Sequence, residues 1–195
     1  MQSIIKAIAG AGFAALATLG IAQAAEITFV HEGSADGSIG GTPFFSFFTI
    51  TAVGDTNNRE SNANAFWINH DSAQIEIEGV GTFDFITLTR TFVNNSAETV
   101  GFSRAFGGSL DLFNGPEDDA FGAWDMTTSI GPISGGGQLV QWDLETVSTS
   151  GGVLVFDDAI TDARFTATIV PVPAAAFLFA PALGGFMAWR RKQSA

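Results

Sequence analysis

The chain of 195 residues contains no cysteine and no tyrosine, has only two histidines, and sets 8 lysines and arginines against 20 aspartates and glutamates. The absence of cysteine excludes disulfide scaffolds, thiolate catalysis and Cys-ligated zinc or iron–sulfur sites. A formal net charge of −12 repels phosphate backbones, which excludes direct nucleic-acid binding. Lysine is missing from the whole interior of the chain, occurring only at Lys6 and Lys192. What is abundant is phenylalanine (19) and glycine (23), in a chain that is 46% apolar. That apolar share argues against disorder, and it is high for so acidic a chain. The two properties therefore occupy different stretches.

Both ends are apolar. Lys6 is followed by an uncharged run from Ala7 to Ala22, closed by Ala22-Gln23-Ala24. This is the order of a secretory signal peptide with a small-x-small cleavage site, Ala22 and Ala24 being the small residues that signal peptidase reads. Residues 1–24 are expected to be removed, leaving Ala25 first. At the other end Val170-Pro171-Val172-Pro173-Ala174 leads into an apolar run ending at Trp189, followed by Arg190-Arg191-Lys192. Ile169–Trp189 reaches the roughly 20 residues of a membrane span. The basic triplet acts as a cytoplasmic stop. An exported chain whose tail returns its C-terminus to the cytoplasm is consistent with both ends.

The order of motif, apolar helix and arginine cluster resembles the tail of PEP-CTERM proteins, in the VPLPA-CTERM variant. Val170, Pro171, Pro173 and Ala174 match. Val172 stands where that family usually shows leucine, and Pro181 inside the span is a departure. Gly184-Gly185, which lets a second helix approach closely, and Arg190-Arg191 also match. The resemblance covers only residues 170–195. It implies export in a Gram-negative envelope, recognition of the tail by an exosortase in the membrane, and cleavage near the motif. It further implies an association with extracellular polysaccharide or biofilm material. The prolines suit such processing, because they hold the chain extended and cannot join a sheet.

Residues 25–169 form the predicted ectodomain. It holds 20 acids against four arginines, a net −16. Alternation with period 2 dominates. Ile75 and Ile77 oppose Glu76 and Glu78. Val140, Trp142 and Leu144 oppose Gln141 and Asp143. Ala163, Phe165, Ala167 and Ile169 oppose Arg164, Thr166 and Thr168. A phase slip after Phe83 and Phe85 suggests a bulge near Phe85-Ile86 or burial of both faces. Pro43–Val53 reads as a central strand, and Glu26–Val30, Ala65–His70, Val100–Phe106, Ser109–Phe113 and Val153–Asp157 as further strands. Turn signals separate them, among them Gly40-Gly41 and Gly151-Gly152. No apolar pattern of helical period persists. The expected fold is all-β, an antiparallel β-sandwich or jelly roll.

Candidate sites in this domain are few. Calcium is the candidate ion, since Asp55 and Asn57 in one loop and Glu117, Asp118 and Asp119 in another gather hard oxygen ligands. Asp157-Asp158 and Asp162 form a third cluster. None has EF-hand spacing, with Arg59 standing where a ligand is required, and acids in turns are ordinarily just solvated. His70-Asp71-Ser72 invites a triad reading, but triads assemble from distant positions and no Gly-x-Ser-x-Gly elbow occurs. An exposed turn is expected there. Glu76 and Glu78 could pair as in a glycosidase, although a solvated strand face explains them. Trp67, Trp124 and Trp142 could stack on sugars. Trp142 reads as core, and Trp124 as the exposed aromatic of the three.

The leading expectation is an exported, non-catalytic surface or extracellular-matrix protein sorted through its tail. The alternative is a secreted carbohydrate- or calcium-binding module. A polysaccharide hydrolase is less favoured, given two histidines and no catalytic motif.

Overall fold

A computed structural model describes residues 25–106, 110–157 and 162–170. The predicted signal peptide, Pro171–Ala174, Gly184, Gly185 and the Arg190–Lys192 stop lie outside the described residues. Among the described residues no helix is long and apolar enough to cross a membrane.

The domain is antiparallel β throughout, apart from one 3₁₀ turn at Asp119–Gly122. Three long strands form its spine: β1 (Glu26–Ile39), β2 (Thr42–Ser61) and β3 (Ala65–Ile77). β1 outruns its predicted end at Val30. Ile27, Phe29, His31, Ala35 and Ile39 keep one buried face across the glycine-containing stretch. Gly37 is demanded there by packing, since a Cβ would lie 2.2 Å from the Val155 carbonyl oxygen. The turn into β2 falls where expected: Gly40 and Gly41 both take positive φ (55° and 82°) between paired Ile39 and Thr42. That backbone suits a two-residue hairpin and strongly favours glycine.

The remaining strands are β4 (Gly81–Asp84), β5 (Thr89–Asn94), β6 (Thr99–Arg104), β7 (Asp111–Glu117), β8 (Ile130–Gly135) and β9 (Gln138–Leu139). They are followed by β10 (Val147–Thr149), β11 (Gly152–Phe156) and β12 (Ala163–Val170). All twelve belong to one continuous sheet. The all-β antiparallel expectation is met, but the layers come from a single sheet curled on itself. β1 and β3 each have two partners along one edge. β1 pairs with β12 over Glu26–Gly33 and with β11 over Gly37–Ile39. β3 pairs with β5 over Ala65–Asn69 and with β4 over Gln74–Ile77.

The sheet thus curls twice around the shared spine. In one half, β7 and β8 come side by side, with Pro116 Cβ 3.1 Å from where a Cβ on Gly135 would be. In the other, a bridge between Phe85 and Thr149 and the Ile86 N–H to Ser148 oxygen bond (2.9 Å) join β4 to β10. Each half wraps its own apolar cluster. One gathers Phe44, Phe48, Phe113, Trp142 and Phe156; the other gathers Ile27, Phe29, Phe121, Trp124 and Phe165.

Several local expectations need correction. No bulge sits at Phe85-Ile86. The chain leaves β4 there to change partners on β3, and Ile86 and Leu88 are exposed. Register shifts lie elsewhere, one of them at Asp71, where Ser72 opposes Val53 and His70 opposes Gly54. His70 is therefore inside a strand, not on an exposed turn. The Val140–Leu144 stretch is not a strand either, for β9 stops at Leu139. Val140 and Leu144 are exposed. Trp142 alone is buried, edge-on to Phe156 and donating from Nε1 to the Leu112 oxygen at 2.6 Å.

Candidate functional site

The residues singled out from the sequence do not converge. Asp55 and Asn57 lie within β2 and not in a loop, and Asp55 Oδ1 accepts the Asn57 N–H at 2.8 Å where the pairing of β2 with β3 is interrupted between Gly54 and Arg59. Asp118 caps the 3₁₀ turn, accepting from the Ala120 N–H at 2.9 Å, with Asp119 in its first turn and Glu117 exposed at the end of β7. Among the described residues no three His, Asp or Glu side chains group closely enough to hold an ion. Trp124 is not exposed, as the sequence suggested. It is 5% exposed, tilted against Phe121 and edge-on to Phe165, and its Nε1 donates to the Thr128 oxygen at 2.9 Å. The neighbouring glycine and aspartate made it look like a loop residue, but the 3₁₀ turn folds it back into the core. Glu76 lies on the exposed face of β3, and Glu78 follows the end of that strand.

Both histidines point inward, to the boundary between the two apolar clusters. His31 Nε2 and His70 Nε2 share the Thr91 hydroxyl, at 3.1 and 2.9 Å. His70 Nδ1 meets the Thr89 hydroxyl at 2.9 Å. Aromatic rings enclose the pair: Phe102, Phe113 and Phe165 around His31, and Phe29 and Phe102 against His70. His31 Nδ1 is buried without a partner. One direction of donation fits best. His31 Nε2–H gives to Thr91, Thr91 gives to His70 Nε2, and His70 Nδ1–H gives to Thr89. This assignment strands a lone pair on His31 rather than an N–H, and it rests on hydrogen-bond geometry. Burial drops the His31 pKa from 6.5 to about 3. His70 is held well below its ordinary value, by burial first and by repulsion from His31 second. Both rings are therefore neutral, and the network is an internal polar seam. The alternation in β5 conceals it, because Thr89 and Thr91 face inward while Phe92 faces out.

The outward face of β3, β5, β6 and β7 carries the candidate binding site. Register places two rows of side chains across these strands. One row runs Trp67, Phe92, Gly101, Asn114 and Gln138; the next runs Asn69, Arg90, Ser103 and Asp111. In the second row Arg90 Nε donates to Ser103 Oγ at 2.9 Å, and its guanidinium lies 5.2 Å over the Trp67 ring. In the first row the Phe92 ring lies across Gly101. A Cβ on Gly101 would fall 2.3 Å from Phe92 Cζ and 2.7 Å from Asn114 Oδ1. The outer edge of the ring, Cζ and Cε1, thus fills the space that a side chain on Gly101 would take.

That ring forms part of a groove of about 490 Å³. Asp111 and Asn114 line one side, Thr99 and Glu117 an end, and the Gly136-Gly137 backbone a wall. Asn114 Oδ1 is buried with no hydrogen-bond partner. Burial raises the Asp111 pKa, opposed by a hydrogen bond from Asn114 and by the charge of Arg90. Chemically, the groove offers acceptors and one aromatic ring. From the sequence Glu117 is singled out as an ion ligand and Phe92 only as part of the apolar phase after Phe85, while Gly101, Asp111 and Gln138 carry no functional signal. They join only through strand register.

No protein-family model matches the chain, and no curated protein matches it. Among solved structures, DynF from the dynemicin biosynthesis pathway of Micromonospora chersina is similar over 77% of this chain and 82% of its own. The identity is 11% and the TM-score 0.36. That likeness is too distant to carry an argument.

Proposed function

We propose that this chain is an exported, non-catalytic protein of a Gram-negative cell surface or extracellular matrix, sorted through its C-terminal tail. Signal peptidase acts at Ala24, and an exosortase recognises Val170–Ala174. The ordered tail of proline motif, apolar run and basic stop carries this reading. The strand register supports it. Glu26 and Val170 face each other in the pairing of β1 with β12, so the points where the two targeting segments join the described residues lie side by side. A cut beyond Val170 removes none of the described strands.

Intact-mass measurement of the exported protein tests this. The expected product begins at Ala25 and ends near Pro173. A product that retains Phe177–Lys192 in the inner membrane would leave a simple tail anchor and overturn the processing claim.

A further inference from the structure

We propose that the groove on the outer face of β5, β6 and β7 binds a neutral polysaccharide, with one sugar ring stacked on Phe92. This goes beyond the sorting role and holds whether the tail is cut or kept.

The chemistry of the lining selects the ligand. The groove's volume of about 490 Å³ lies within the range of small-ligand sites, about 300–1,000 Å³. Its lining contains two carboxylates, Asp111 and Glu117, and no cationic side chain, so anionic ligands are repelled. The carboxylates and amides of the lining accept hydrogen bonds. Hydroxyl groups donate them without bringing charge. A bare metal ion would also satisfy the oxygens, but it would make no use of the Phe92 ring. Among the described residues, moreover, Asp111 and Glu117 form no group of three acids or histidines able to hold an ion. A ligand with one apolar ring face and a rim of hydroxyls uses both features, and a pyranose has that form. The exposed Gln138 amide, opposite Asn114 on β9, can add both a donor and an acceptor. Glycines at 136 and 137 let a ring approach the backbone closely.

Affinity electrophoresis of the full-length protein tests this. The protein is kept in a detergent without a sugar headgroup and run in native gels holding hydroxyethylcellulose, mixed-linkage β-glucan or galactomannan. Retardation is expected in at least one gel, with or without EDTA. Phe92→Ala should weaken the apparent affinity by about tenfold or more, the scale of one lost aromatic contact. Gln138→Ala, at an exposed site that leaves folding alone, should weaken it severalfold. Phe45→Ser, on a residue 87% exposed outside the groove, should change nothing. No retardation in any of the three gels refutes the proposal. So does retardation that EDTA abolishes, or that neither groove variant alters.

Discussion

The paired histidines make the domain's stability depend on pH in a calculable way. His31 is unprotonated in the fold down to about pH 3, whereas in the unfolded chain it takes up a proton below its ordinary 6.5. The unfolded state therefore binds more protons as pH falls, and folding loses free energy between pH 6.5 and about pH 3. At pH 5 the loss from His31 alone is about 2 kcal/mol, at 1.4 kcal/mol per pH unit over the 1.5 units below 6.5. His70, depressed in the same direction, adds to the loss. The His31 part alone is large against the 5–15 kcal/mol of a typical domain. Urea unfolding at pH 8 and pH 5 measures it. Asp111, with a raised pKa, shifts stability the other way. The decisive quantity is thus the difference between proteins. His31→Gln, which keeps a donor near Thr91 but cannot titrate, should lose about 2 kcal/mol less than the wild type between the two pH values. Equal losses in the two proteins would refute a neutral His31 in the interior.

Other substitutions probe the packing. Trp124→Ala should cost about 3–5 kcal/mol in urea unfolding, as large core truncations do; an unchanged midpoint would return Trp124 to the surface. Gly101→Ala should destabilise by about 1–3 kcal/mol and displace Phe92, which a matching fall in polysaccharide retardation would report. Arg59→Ala breaks the bond to Asp125 at 2.7 Å but should cost less than about 1 kcal/mol, because both side chains are partly exposed. A thermal melt should not move with calcium or EDTA, since the Asp55 and Asp118 carboxylates are engaged with neighbouring backbone N–H groups; a calcium-dependent rise would restore the ion site.

Much of the fold was legible because burial imposes period 2. Ile75, Ile77, Ala163, Phe165 and Ala167 are buried as their alternation predicts, and Gly40-Gly41 turns as expected. The misreadings share a cause. The first strand reads as ending at Val30, yet β1 runs on through Gly33 and Gly37, which sit on its packed face. Trp142 looks like part of an alternating strand, yet a loop delivers it to the core. In each case a distant partner decides, such as the Val155 carbonyl or the Phe156 ring, and sequence neighbours do not reveal it. The groove was hidden for the same reason. Its residues lie on β5, β6, β7 and the turn into β9, and only cross-strand register lines them up. The histidine seam was hidden because threonines on a phenylalanine-bearing strand suggest the opposite facing.

The pairing of Glu26 with Val170 also bears on how the domain is assembled. These partners are 170 − 26 = 144 residues apart, so the first strand of the sheet waits for the last. A chain made from its N-terminus onward can form the β1–β2 and β2–β3 hairpins early. The edge of β1 over Glu26–Gly33 stays open until β12 arrives. Contacts this remote slow folding. In that interval an apolar, unpaired edge is available to the wrong strand. The acids Glu26 and Glu32 on that edge, in a domain without lysine, give approaching copies of the same chain a charge to overcome while the edge is bare.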